Sequence, residues 1–164
     1  MIREATAADD AAVGELLVRA FVEKYAVKMP GVVVGDRRRA ELRDVAGKRA
    51  VAKVWVADEG GAIAGTVALW PPGSHRSEAW LRGAFDLRHL ATDASQRGSG
   101  LSHRLLDAAE GYARELGGTA VCLHVRHGAD GLAQFYVRRG YVRAPEGDLD
   151  LRPDVLLDAY FLKL

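Results

Sequence analysis

The sequence is short of cysteine, of net charge and of long apolar runs, and each shortage removes a class of function. Its one cysteine, Cys122, cannot close an internal disulfide. With no Cys or Cys/His cluster there is no zinc framework either, so a reducing, cytoplasmic setting and no metal are expected. Lysine plus arginine number 23 against 22 aspartate plus glutamate. That balance excludes the broad basic surface nucleic-acid binding needs, because such affinity comes from neutralising many phosphates. No apolar stretch approaches the roughly 18–20 residues of a membrane span. Met1-Ile2-Arg3-Glu4 also lacks the basic-then-apolar layout of an export signal. Internal repeats and low-complexity tracts are missing as well. What remains is a chain of 164 residues, 49% apolar, suited in length to a single domain over residues 1–164.

Residues 1–5 read as a short strand, and Thr6 with Asp9 three positions later supplies the side-chain oxygens of a helix start. Val13, Leu16, Leu17, Ala20, Phe21 and Tyr25 follow at three- and four-residue spacings, one face of a helix that Met29-Pro30-Gly31 ends. The charged segment 36–49, with its Arg37-Arg38-Arg39 run, predicts a second and more exposed helix. Residues 53–58 and 63–70 predict antiparallel strands around a Gly60-Gly61 turn. Residues 71–83 read as loop and 85–92 as strand. Residues 101–116 read as an amphipathic helix in which Glu110 and Arg114 form an outward i,i+4 pair. A strand at 120–125, a short helix at 131–139 ended by Gly140, and strands at 141–143 and 156–164 complete the order. This order predicts an α/β fold whose sheet is mixed but largely antiparallel, flanked by helices, with one parallel crossover.

The segment with the clearest chemistry runs from the 85–92 strand through Gly98 and Gly100 into the helix at Leu101. Glycines let backbone approach a ligand, and a helix N-terminus offers unpaired N–H groups and partial positive charge, so the junction suits a phosphate. A nucleotidase P-loop is excluded because no lysine follows the glycines. A dinucleotide fingerprint is disfavoured because His103 occupies the third glycine position. The segment Arg97-Gly98-Ser99-Gly100-Leu101-Ser102 instead resembles the pyrophosphate motif of the GNAT (Gcn5-related) N-acetyltransferases, with Ser102 in place of the usual final Gly or Ala. Farther on, Ala133-Gln134-Phe135-Tyr136-Val137-Arg138-Arg139-Gly140-Tyr141 resembles the segment with which that family ends its coenzyme A site.

The resemblance implies a single GNAT-like domain whose two central parallel strands splay apart. It implies acetyl-CoA as acetyl donor and a primary amine of a small molecule as acceptor. The backbone of Arg97, Gly98, Ser99, Gly100, Leu101 and Ser102 would hold the pyrophosphate. Leu90, Ala91 and Thr92 would pair with the pantetheine arm, the Thr92 N–H polarising the thioester carbonyl. Phe135 and Tyr136 would belong to the cofactor site, and the Tyr136 phenol, with an ordinary pKa near 10, would protonate the departing thiolate. Asp86 is the candidate carboxylate base, with His89 or a water chain as competitors. Strand alternation puts Asp86 and Thr92 on one face and His89 on the other unless a bulge intervenes. His124 reads as a cleft residue or a structural histidine, and Asp130 stands where many relatives carry Asn. Tyr25, Trp70, Trp80 and Phe85 are candidate walls of an acceptor pocket. Alternatives are a non-catalytic acyl-CoA-binding or regulatory domain and a protein or peptide N-acetyltransferase. By the same resemblance a homodimer is expected, the closing strand 158–164 having an apolar, edge-capable character.

Overall fold

A computed structural model describes all 164 residues, in two units: Met1–Leu69 with His89–Ala109, and Trp70–Arg88 with Glu110–Leu164. In the first unit, strand β1 (Ile2–Glu4) leads into the helix start expected at Thr6 and Asp9. The two residues form a reciprocal capping box, in which the Thr6 N–H donates to Asp9 Oδ2 at 2.7 Å. Arg3 clamps the same carboxylate with both terminal nitrogens, at 2.8 and 2.9 Å, and reaches Asp58 Oδ2 through Nε at 3.1 Å. The clamp joins β1, the helix start and strand β2 (Lys53–Glu59).

Helix α1 (Asp10–Val18) passes through a π-turn at Arg19–Glu23 into α2 (Lys24–Lys28). Val13, Leu16 and Leu17 are buried as their spacing requires. Where one helix is expected over 36–49 there are two, α3 (Asp36–Arg43) and α4 (Val45–Arg49). Asp44 leaves helical geometry and caps α4 by accepting from the Gly47 N–H at 3.0 Å, a use of Asp that competes with an unbroken helix. The basic run is solvated: Arg37 and Arg38 both pair with Glu41 on their own helix.

Strand β2 pairs antiparallel with β1 and with β3 (Ala62–Trp70), and Glu59 lies opposite Ala62 so that Gly60 and Gly61 alone make the turn. Strand β4 (Phe85–Thr92) follows β3 in the sheet. Helix α5 (Leu101–Glu115) packs onto this unit through Leu101, Leu105 and Leu106, all buried. Gly65 makes that approach feasible, since a Cβ there would meet Leu105 Cδ1 at 2.9 Å and the Ala91 carbonyl at 3.2 Å.

In the second unit, β4 pairs parallel with β5 (Ala120–Arg126) at Phe85↔Val121 and Asp86↔Cys122, and there the ladder ends. Strand β5 runs antiparallel to β8 (Val155–Lys163) along its whole length, and β8 also carries β6 (Val142–Arg143) and β7 (Leu149–Leu151). The largely antiparallel α/β class with one parallel strand pair is therefore present, while β7 is an element the sequence reading lacks. Helix α6 (Asp130–Arg139) stops at Gly140, whose φ of 111° gives the left-handed end expected.

Glu110 corrects the expected outward pair with Arg114. It is buried, accepts two bonds from Arg139, at 2.9 Å from Nε and 2.8 Å from Nη2, and a third from the Tyr141 hydroxyl at 2.9 Å. Burial, then the Glu110 charge, pushes the Tyr141 phenol well above its ordinary range, so it remains a donor. This buried network ties the second half of α5 to the end of α6. No helix of the protein is long and apolar enough to cross a membrane.

Candidate functional site

The β4-to-α5 junction is shaped by short-range hydrogen bonds. Asp93 Oδ1 accepts from the Ser95 N–H at 3.0 Å and the Ser95 hydroxyl at 2.7 Å, and these bonds hold the Asp93 carboxyl below the usual range. The Gln96 N–H returns to the Asp93 carbonyl at 3.0 Å, and the Ser99 N–H to the Gln96 carbonyl at 3.0 Å. Gly98 and Gly100 then adopt φ of 78° and 76°, a conformation L side chains rarely take, with open space around both α-carbons. Alternating left-handed residues of this kind turn backbone N–H groups toward a common concavity. Ser99 Oγ accepts from the Leu101 N–H at 3.2 Å and steadies the first turn of a helix 15 residues long. The cradle is exposed, made of backbone donors, and bordered by Arg97, which fits a diphosphate.

Upstream, Leu90, Ala91 and Thr92 close β4, with Ala91 buried and its neighbours half-buried. His89 has a φ of 59°, the left-handed region that a non-glycine residue seldom enters. This interrupts strand alternation between Asp86 and Thr92, so parity cannot assign their faces. Beside Thr92 and Arg97, the helical segment from Leu16 to Lys28 completes a pocket of about 370 Å³.

The remaining candidates lie in the second unit. Asp86 is fully buried; its Oδ2 accepts from the Glu78 N–H at 2.8 Å and from the Arg88 Nε at 2.8 Å, with Arg88 Nη2 on the same oxygen. Asp86 Oδ1 has no hydrogen-bond partner. Arg88 in turn bonds Glu78 Oε1 at 2.8 Å and lies 4.6 Å above the Trp70 ring. Asp86 and Arg88 thus pin the 71–83 segment to β4, and one carboxylate oxygen is left with acceptor capacity. Residues two apart share a strand face, so this pair was readable from sequence and was missed.

Tyr136 is buried on α6, with ring centroids 5.2 Å from Phe135 and 5.4 Å from Tyr141. Its carbonyl accepts the Tyr141 N–H at 3.0 Å, so the Glu110 network also fixes the turn of helix that carries it. Cys122 is excluded as a nucleophile, because burial pushes its thiol up to about 11. His124 is structural: its Nε2 lies 2.8 Å from the Gly147 carbonyl and its ring packs edge-on to Trp80. Trp70 and Phe85 are core residues, whereas Tyr25 is half-buried beside Phe21. Leu90–Thr92 and the glycine loop thus belong to one unit, and Asp86, Phe135 and Tyr136 to the other.

Comparison with known proteins supplies the wider context. The chain matches solved acetyltransferase structures over essentially its whole length at low identity, which establishes likeness of fold. A GNAT-family acetyltransferase of Staphylococcus aureus Mu50 is 16% identical with a TM-score of 0.76, covering 100% of this chain and 98% of that one. The PaiA N-acetyltransferase of Thermoplasma acidophilum, solved in complex with coenzyme A, is 14% identical with a TM-score of 0.74 and the same coverage. A ribosomal-protein-alanine N-acetyltransferase of Brucella melitensis is 19% identical with a TM-score of 0.66, covering 100% and 99%. No curated protein sequence matches the chain significantly. The family model of the acetyltransferase (GNAT) family matches residues 12–141, a span that contains both the glycine cradle and the Phe135-Tyr136 helix, and the chain belongs to that family.

Proposed function

We propose that residues 1–164 form one acetyltransferase domain that moves an acetyl group from acetyl-CoA to the primary amine of a small molecule, by direct attack of the amine on the thioester. The observation that carries this reading is the cradle of Gly98 and Gly100 at the mouth of α5, a backbone-built anion site inside a GNAT family match. Acetyl-CoA would supply the activated acyl thioester. Within the Arg97–Ser102 run, the N–H groups of Gly98, Gly100 and Ser102 hold its diphosphate, those of Arg97, Ser99 and Leu101 being engaged in the loop itself, and the Arg97 side chain adds charge beside it. The backbone of Leu90, Ala91 and Thr92 aligns the pantetheine arm. The Thr92 N–H donates to the carbonyl oxygen on which negative charge builds.

An amine must lose a proton to react, and Asp86 Oδ1, buried and without a donor of its own, is the acceptor assigned to it. Tyr136 gives its phenolic proton to the departing sulfur, and Phe135 packs against it.

Two measurements test the reading. Millimolar coenzyme A is expected to raise the melting temperature, as any ligand of the native state does; no shift would remove the donor assignment. Tyr136→Phe is expected to lower kcat by about a hundredfold, the usual weight of a positioned acid, while the Kd for coenzyme A stays within about twofold. Unchanged turnover would take Tyr136 out of the mechanism. A chain that binds coenzyme A but releases no thiol with any amine would instead be a non-catalytic binder.

A further inference from the structure

The pocket beside the cradle has a charge pattern that the donor does not account for. Arg19, Lys24 and Lys28 line it, besides the Arg97 that borders the diphosphate cradle, against the two carboxylates of Glu23 and Asp93. Asp93 is engaged by Ser95 through Oδ1, and its Oδ2 lies 3.8 Å from Arg19; Glu23 is exposed. Cations therefore outnumber anions in a lining otherwise made mostly of apolar side chains such as Leu16 and Val27.

The π-turn gathers these cations. On a regular α-helix, at about 100° per residue, Lys24 would point about 140° away from Arg19, five residues earlier. The wider turn at Arg19–Glu23 brings both into one lining. Lys24 is half-buried, and its proton is held less tightly than usual because of burial first and then Lys28 and Arg97. A bound anion would offset both effects.

We infer that this pocket receives an anionic group on the acceptor, so that the substrate class is a primary amine carrying a carboxylate or a phosphate-type group on a short apolar stem. The inference rests on the acetyl-transfer reading, because Thr92, whose N–H polarises the thioester there, belongs to the same lining. The stem lies along the apolar wall, the anion meets Lys24 and Lys28, and the amine is presented toward Thr92.

The test compares four amines as acetyl acceptors: 5-aminopentanoate, 3-aminopropylphosphonate, pentylamine and 1,5-diaminopentane, with thiol release as readout. At least one anionic amine is expected to exceed pentylamine roughly tenfold in kcat/KM, with the diamine lowest, and the ratio of the two anionic amines reports which anion is preferred. Lys24→Glu and Lys28→Glu, both on a solvent-facing helix, are expected to erase that preference while the Kd for coenzyme A by calorimetry stays within about twofold. Equal rates across the series, or no turnover of either anionic amine by coenzyme A-binding protein, overturns the inference. So does a loss of coenzyme A affinity in Lys24→Glu as large as the loss of anion preference, which assigns the pocket to the donor. Wild-type protein that binds no coenzyme A fails at the earlier step, and the acetyl-transfer reading falls with it.

Discussion

Two arginine–carboxylate clamps hold the two units, and they differ in how much water they see. In the second unit Arg139 grips Glu110 in a site where both side chains are largely buried, at 12% and 5% exposure. In the first unit Arg3 grips Asp9 and Asp58 with its own side chain 30% exposed. The hydrogen-bond geometry is nearly the same, but the consequence of losing the arginine is not. Glu110 without Arg139 would keep only the Tyr141 hydroxyl, whereas without Arg3 the buried Asp9 would keep the Thr6 N–H and hydroxyl and Asp58 the Gly61 N–H and some water. The buried clamp therefore gives α6 a fixed end, and with it Tyr136. The clamp in the first unit, exposed mainly at its arginine, sets the entry of α1 and so the direction of the helical segment that bears the basic pocket.

Breaking the clamps in turn should rank them. Arg139→Ala is expected to destabilise the protein by about 3–5 kcal/mol, the cost of stranding a buried charge, read as a denaturant midpoint. Arg139→Ala with Glu110→Gln should recover part of that loss, and failure to recover any would show that Arg139 acts through packing. Arg3→Ala should lower the melting temperature by a clearly smaller amount.

Acid sharpens the same contrast. Asp9 is held well below the ordinary carboxylate range by Arg3 first, and Asp58 is lowered by the Gly61 N–H first and then by Arg3. A carboxyl whose folded pKa is depressed contributes stability above its unfolded value near 4 and loses it as pH falls through the folded value. Melting temperature should thus drop below about pH 4, and Arg3→Ala should flatten that limb; an identical acid slope in the variant would exclude the clamp as its source. Smallest of all is the pair Arg152–Asp150, where the arginine lowers the Asp150 pKa to about 2 although both side chains are more than half exposed. Asp150→Asn should move the melting temperature by less than about 1 °C, because a shifted pKa in water carries little stability.

Much of the molecule is legible in the chain because the governing forces are local. The Gly60-Gly61 hairpin, the capping box and α5 each follow from spacing and turn chemistry within a few residues, and so does the glycine cradle. Glu110 was misread because its partners lie 29 and 31 residues away. A hint was present, since Glu110 stands four residues after Leu106 and three before Ala113, within the apolar stripe. The break at Asp44 was hidden because helix propensity on both sides of it is good, and the cap decides the matter. Lys24 and Lys28 stand at four-residue steps from Ala20, on its side of the helix, and an apolar stripe is defined by its apolar members, so two lysines within it gave no signal of a pocket.

The π-turn at Arg19–Glu23 has a consequence for how such a pocket changes through descent. One extra residue has been absorbed in the helix between Val18 and Lys24 while the packing of Val13, Leu16 and Leu17 is kept. Deleting a residue there would restore regular winding and leave everything beyond nearly in phase, because four residues of α-helix turn about as far as the five of the π-turn. A single codon gained or lost in this turn therefore edits one stretch of the pocket wall while the helix on either side of it stays where it is.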